Sequence, residues 1–135
     1  MGTWALHSFG NDDAGDLLGD LTEQNGLGPV QEAIARVLNT EGYLEAPEAQ
    51  QCIAACEVVA TALGRPSAAA QAEEELVAWL ARVRPILGSE VVTQATEALD
   101  RVLEPESELL ELWQESAEFA DWHANVTGLR SRLQA

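Results

Sequence analysis

Residues 47–63 read PEAQQCIAACEVVATAL, a stretch that is typical of an α-helix. Pro47 suits a first helical turn, where the N–H that proline lacks would have no partner. Gly64 and Pro66 are helix-ending residues. The apolar positions recur at helical spacing and are Cys52, Ile53, Cys56, Val59, Ala60 and Leu63. Because alanines make this helix slim, we expect another helix to approach it closely.

Similar signals on either side of this stretch predict about six helices. Asn11 is a good N-cap, and Asp12 and Asp13 then fall in a first turn, where the helix dipole favours negative charge. Pro85 should end or kink the fourth helix, because proline cannot donate the helical hydrogen bond and clashes with the preceding turn. The other predicted helix starts are Pro29, Ser67, Ser89 and Pro105. The last helix is expected to run to about Leu133, unless Gly128 interrupts it.

Composition agrees with this pattern. The 135 residues are the size of one domain, and 47% are hydrophobic, mainly Ala and Leu. No run alternates apolar and polar residues long enough to predict a strand. We therefore predict an all-α, single-domain antiparallel helical bundle over residues 1–135, with residues 1–10 as an irregular arm that packs on the bundle.

The charge is strongly negative. The chain has 23 acidic and 7 basic residues, and its formal net charge is −16. Direct binding to nucleic acid or to an anionic membrane is not expected, because both need a basic face. A basic protein partner suits this charge. The chain shows no signal peptide and no run of about 20 apolar residues, so a cytoplasmic location is expected.

The acidic residues of the last predicted helix form a stripe. Its members are Glu108, Glu111, Glu115 and Glu118, extended by Glu104 and Asp121. The stripe lies beside an apolar face of Leu109, Leu112 and Trp113. We expect this stripe to be the best docking place for a basic partner.

Aromatic residues are the second group of candidates for binding. Trp113 and Trp122 are nine residues apart, about 900° of turn, so they should lie on opposite sides of a straight helix. One of them would then be exposed or would meet the N-terminal arm. In that arm, Trp4 and Phe9 are expected to be core plugs. The predicted binding residues are Trp4, Phe9, Asn11, Asp12, Asp13, Glu108, Glu111, Trp113, Glu115, Glu118 and Trp122.

Catalytic and metal-binding patterns are weak. Cys52 and Cys56 share a helix face, but a zinc site needs more ligands, so buried thiols are expected. His7 and His123 could each pair with a carboxylate as a general base. Asp12, Asp13, Asp16 and Asp20 do not match a calcium loop and are predicted to form a solvated helix face. No cofactor, metal or catalytic residue is assigned.

Three segments resemble a known family. They are residues 2–4 with 9–14 (Gly-Thr-Trp, then Phe-Gly-Asn-Asp-Asp-Ala), residues 54–60 and residues 107–113. The N-terminal motif is the specific part. These segments resemble the bacterial domain-of-unknown-function family 4259, and the likeness covers nearly the whole chain. The resemblance implies a bacterial origin and a helical fold, and it implies no reaction.

Three functions are compatible with the sequence. The leading hypothesis is a small interaction or regulatory module that binds a basic protein partner, as an immunity protein would. The first alternative is a hydrolase, metal-dependent or using a histidine with a carboxylate, built on Asp12, Asp13, His7 and His123. The second alternative is a structural homo-oligomer, such as a homodimer.

Overall fold

The computed structural model describes Phe9 and residues 11–134. This part of the chain contains eight helices and no strand. The helices are α1 (Asp12–Thr22), α2 (Gly28–Leu38), α3 (Ala46–Ala62), α4 (Ala68–Ala72), α5 (Glu74–Val83), α6 (Ser89–Val102), α7 (Glu108–Gln114) and α8 (Phe119–Gln134). The predicted all-α class is confirmed, and the predicted number of about six helices is slightly too low.

Helix α3 lies at the centre of the bundle. Residues 52–60 are all buried, and α3 contacts α1, α2, α6 and α8. Small side chains such as Ala54, Ala55 and Ala60 allow this, because neighbouring backbones can approach closely where no long side chain intervenes. The expected close approach of other helices is therefore present, and it occurs on several sides of α3. Buried apolar residues from all eight helices form one connected core.

Capping residues fix several helix starts where the sequence predicts them. The Asn11 side chain accepts a hydrogen bond from the Ala14 N–H at 2.8 Å, and Ser67 accepts from the Ala70 N–H at 3.1 Å. Pro29 and Pro47 lie in the first turns of α2 and α3. These caps satisfy N–H groups that the helix itself leaves free.

The predicted fourth helix is two helices. The chain leaves helical geometry at Glu73, between α4 and α5. Helix α4 packs on α3, whereas α5 packs on α1. The Trp79 Nε1–H of α5 donates to the Gln24 carbonyl oxygen, just after α1, at 2.7 Å. One straight helix would not follow both surfaces, so tertiary packing divides it. As predicted, this stretch ends just before Pro85.

The predicted last helix is also divided. Helix α7 ends at Gln114, and α8 begins at Phe119 and continues through Gly128 without interruption. The turn between them is held by the Ser116 hydroxyl, which accepts from the Glu118 N–H at 3.1 Å. This turn allows the Trp113 and Trp122 rings to stack, with centroids 5.8 Å apart and planes 8° from parallel. The prediction that they lie on opposite sides is wrong, because it assumed a straight helix.

One charged residue lies inside the core. Glu57 of α3 is completely buried, and both of its carboxylate oxygens accept hydrogen bonds from the Arg132 guanidinium, at 2.6 and 2.8 Å. Arg132 also donates to the Arg65 carbonyl oxygen, and Arg65 donates to the Arg132 carbonyl oxygen. These bonds tie the end of α8 to the chain after α3.

Across the described residues, none of the helices is both long and apolar enough to cross a membrane.

Candidate interaction surface

Beside α7, two loops are joined by backbone hydrogen bonds, and the acidic candidate residues lie next to this junction. The Leu44 N–H donates to the Glu106 carbonyl oxygen at 2.8 Å, and the Glu108 N–H donates to the Leu44 carbonyl oxygen at 2.9 Å. The Glu108 carboxylate accepts from the Ala46 N–H, also at 2.8 Å, at the first residue of α3. This pairing holds the residues before α3 firmly against the start of α7.

Tyr43 stands exposed at this junction. Its side chain is 49% accessible to solvent, and its hydroxyl donates to a Glu111 carboxylate oxygen at 2.8 Å. That hydrogen bond is the main reason why the pKa of Tyr43 rises to about 12, with smaller contributions from desolvation and from the charges of Glu111 and Glu108. The next residue of α7, Leu112, is 42% exposed. The sequence pattern predicted that Leu112 belongs to the apolar face of this helix. In the structure, Leu110 is buried and Leu112 is exposed.

We define the acidic surface as Tyr43, Glu108, Glu111, Leu112 and Glu115. Glu108, Glu111 and Glu115 follow each other at helical spacing along α7, with Glu115 as its C-cap. The predicted stripe does not continue along one helix, because Glu118 lies in the turn and Asp121 in the first turn of α8. Glu108 also has a structural task at α3, which the sequence did not indicate.

Arginines do little to neutralise the negative charge. Among the described residues, the only ion pairs join Arg130 to Asp100 and Arg132 to Glu57. The side chains of four other arginines, Arg36, Arg65, Arg82 and Arg101, donate to uncharged oxygens. Arg101, for example, donates to the carbonyl oxygen of Gly42 at 2.6 Å. Within the part of the chain that is described, the other carboxylates therefore have no cationic side chain within 4 Å.

The aromatic candidates are mostly core residues. Trp113, Trp122 and Phe9 are 5%, 3% and 7% exposed, so none offers a ring to a partner. Of the two outcomes expected for Trp113 and Trp122, the exposure of one ring is not found. The other outcome, a contact with the N-terminal arm, involves residues that lie largely outside the described ones. Burial of Phe9 agrees with its predicted role as a core plug. Trp4 lies outside the described residues.

The N-terminal polar candidates belong to the start of α1. Asn11 is its N-cap, and Asp12 and Asp13 occupy its first turn. The pKa of Asp13 is raised, first by partial burial and then by the charges of Asp16, Asp12 and Glu48. Within the described residues, no three His, Cys, Asp or Glu side chains form a group that could hold a metal ion.

The two cysteines are buried free thiols, as the sequence predicts. The Cys56 Sγ lies 3.5 Å from the Ala95 carbonyl oxygen of α6. Burial raises the pKa of Cys56 well above its ordinary value, and Cys52 and Glu57 add to the effect. A raised pKa keeps the thiol protonated and therefore unreactive.

The structure describes one of the two histidines that could each pair with a carboxylate. His123 is exposed on α8, where its ring lies 5.4 Å from the ring of Phe119. His7 lies outside the described residues. The catalytic alternative thus gains no contact from the part of the chain that the structure describes.

Sequence reasoning missed two important residues. Glu57 stands among small apolar residues that are buried all round the helix, and a charge in such a helix signals a buried partner. Its partner, Arg132, is 75 residues away in sequence and has no local signal. Tyr43 also lacks a local signal, because its position depends on the pairing of two loops that are distant in sequence.

The comparison with family models agrees with the resemblance seen in the sequence. The model described as Domain of unknown function (DUF4259) matches residues 2–125. The chain belongs to this family. The match ends within α8, before Arg130 and Arg132. Searches of curated proteins and of solved structures find no match.

Proposed function

We propose that this DUF4259 domain is a protein-interaction module whose acidic surface binds a basic segment of a protein partner. The observation that supports the proposal most is the charge balance around α7. Glu111 and Glu115 are exposed and have no cationic partner among the described residues, while the nearby Arg101 donates to carbonyl oxygens. A basic partner would relieve the resulting repulsion.

The uncharged members of the surface add contacts that charge alone does not provide. Tyr43 and Leu112 are both more than 40% exposed and lie next to these carboxylates. The Tyr43 hydroxyl is already held by Glu111, so its ring loses less freedom when a partner packs on it. Tyrosine is a common anchor at protein interfaces. Two regulatory roles, blocking a basic toxin or mimicking nucleic-acid charge, would use this same surface.

Paired charge variants test the location. The variant E111Q/E115Q removes two charges from the acidic surface, and E74Q/E75Q removes two from the exposed start of α5 as a matched control. Partners are captured from the native cell extract at low salt, identified, purified and measured by titration. An exposed ion pair is worth about 0.2–1 kcal/mol, so E111Q/E115Q should weaken binding by about 2- to 30-fold.

The proposal requires three results, all of which must be observed. Affinity should fall with added salt, fall further for E111Q/E115Q, and stay unchanged for E74Q/E75Q. Retention of no partner by the wild-type protein at low salt would contradict the proposed function. Equal weakening by both variants would contradict its location on α7.

A further inference from the structure

A second candidate site lies away from the acidic surface, along α6. A cavity of about 680 Å³, broadly open to solvent, runs beside the α6 residues that recur at helical spacing from Ser89 to Asp100. Its apolar lining comes from Leu63, Leu87, Val92 and Leu133. The volume falls in the range of about 300–1,000 Å³ that is usual for small-molecule sites. The cavity is therefore large enough for a small organic ligand.

The charges at this cavity differ from those elsewhere on the protein. Arg65 and Arg130 line it, and Arg132 lies directly beside Arg65. Asp100 neutralises Arg130, with N–O distances of 2.6 and 3.2 Å, and Glu57 neutralises Arg132. Three of the seven arginines thus gather at one end of a protein whose net charge is −16.

Arg65 differs from its two neighbours because it is not neutralised. No carboxylate of the described residues lies within 4 Å of its guanidinium, although the exposed Glu97 also lines the cavity. One nitrogen donates to the Arg132 carbonyl oxygen at 3.0 Å, and the remaining donors make no other hydrogen bond within the described part. The bond to Arg132 holds the side chain in place, which lowers the ordering cost of binding a ligand.

We propose that this cavity binds a small amphipathic carboxylate, with its carboxylate on Arg65 and its apolar body against Leu87, Val92 and Leu133. A guanidinium matches a carboxylate with two parallel hydrogen bonds. A monoanion is favoured over a phosphate dianion, because Glu97 and Asp100 at the cavity repel the second charge. This site selects a small anion, whereas the acidic surface selects a basic protein, so the two proposals stand separately.

The test uses octanoate with octanamide, its uncharged counterpart of the same shape. Binding to the whole protein is followed by methyl NMR shifts of Leu63, Leu87, Val92 and Leu133. Octanoate should give saturable shifts at these methyl groups, and octanamide should bind about 10-fold or more weakly, as expected for the loss of a hydrogen bond between charged groups. Arg65→Gln should reduce octanoate binding to the level of octanamide.

Two further variants separate the site from a general charge effect. Thr93→Trp places a large side chain at an exposed position of the cavity lining and should abolish the shifts. Arg36→Gln removes the charge of an exposed α2 residue, whose side chain bonds only Gln51 among the described residues, and should bind octanoate like the wild type. Circular dichroism confirms that each variant is folded.

Several outcomes would overturn the proposal. The first is the absence of saturable shifts at about 5 mM octanoate, a concentration far above the dissociation constant of a specific site. The second is equal binding of octanoate and octanamide, and the third is unchanged octanoate binding in Thr93→Trp. If Arg36→Gln and Arg65→Gln weakened octanoate binding equally, octanoate would be attracted to positive charge in general and not to Arg65 in particular. If Arg65→Gln does not fold, the ligand pair and Thr93→Trp still decide the question.

Discussion

Removing the Arg132 side chain should destabilise this protein more than removing both members of its buried ion pair. The Glu57 side chain is 0% exposed and that of Arg132 is 25% exposed. Arg132→Leu leaves the buried carboxylate without its guanidinium, and breaking such a pair on one side costs about 3–5 kcal/mol. Glu57→Leu should cost less, about 1–3 kcal/mol, because Arg132 still reaches solvent and the Arg65 carbonyl oxygen.

The double variant Glu57→Leu/Arg132→Leu should recover part of the loss. Replacing both charges by apolar side chains removes the desolvation cost of the pair together with its attraction, so the change is often close to neutral. We therefore expect the double variant to be more stable than Arg132→Leu alone. If the two substitutions acted independently, their costs would add, and the double variant would be less stable than Arg132→Leu alone.

Urea unfolding measures the three variants. Tryptophan fluorescence and circular dichroism at 222 nm should give coincident transitions if unfolding is two-state. With an m-value of about 2 kcal/mol/M, Arg132→Leu should lower the midpoint by about 2 M. A double variant as unstable as the sum of the two single variants would refute the reasoning, as would an Arg132→Leu cost below about 1 kcal/mol.

Three further predictions follow from the described contacts. Asn11→Ala should lower the free energy of unfolding by about 1 kcal/mol through loss of the α1 cap, and Asn11→Asp, which keeps the acceptor, should not; thermal unfolding compares them. Tyr43, the only tyrosine, should titrate at about pH 12 by absorbance at 295 nm, and Glu111→Gln should move this pKa back towards 10. Because the folded pKa lies above the unfolded one, the stabilisation from this bond is complete below pH 10 and is lost as the pH rises towards 12; an unchanged pKa in Glu111→Gln would contradict the assigned cause. Cys52 and Cys56 should not react with a thiol reagent at pH 8 until the protein unfolds, because both are buried and the pKa of Cys56 is raised; rapid labelling of the native protein would contradict this.

The candidate surface shows how far local sequence reasoning reaches. The acidity of α7 is visible in the sequence, because charge does not depend on folding. The turn at residues 115–118 decides that Glu111, and not Glu118, belongs to the acidic surface. The role of Tyr43 depends on its hydrogen bond to Glu111, which is 68 residues away in sequence. The spacing of apolar residues along the chain indicates neither where this turn falls nor which distant residues meet.

Helix type and most helix starts follow from the sequence alone. Asn11, Pro29, Pro47 and Ser67 act within one turn of their own positions, so their effect needs no distant partner. The all-α class follows from the same local preferences, since alanine and leucine are common throughout the chain.

Only the tertiary structure decides where a long helical pattern is divided. Residues 74–83 pack on α1, whereas α4 before them packs on α3. Residues 119–134 pack on both α3 and α6, whereas α7 before them packs on α3. The same packing stacks Trp113 on Trp122 and brings Arg132 to Glu57. The physical reason is that caps and propensities act over a few residues, whereas burial and ion pairing reward contacts between residues far apart in the chain.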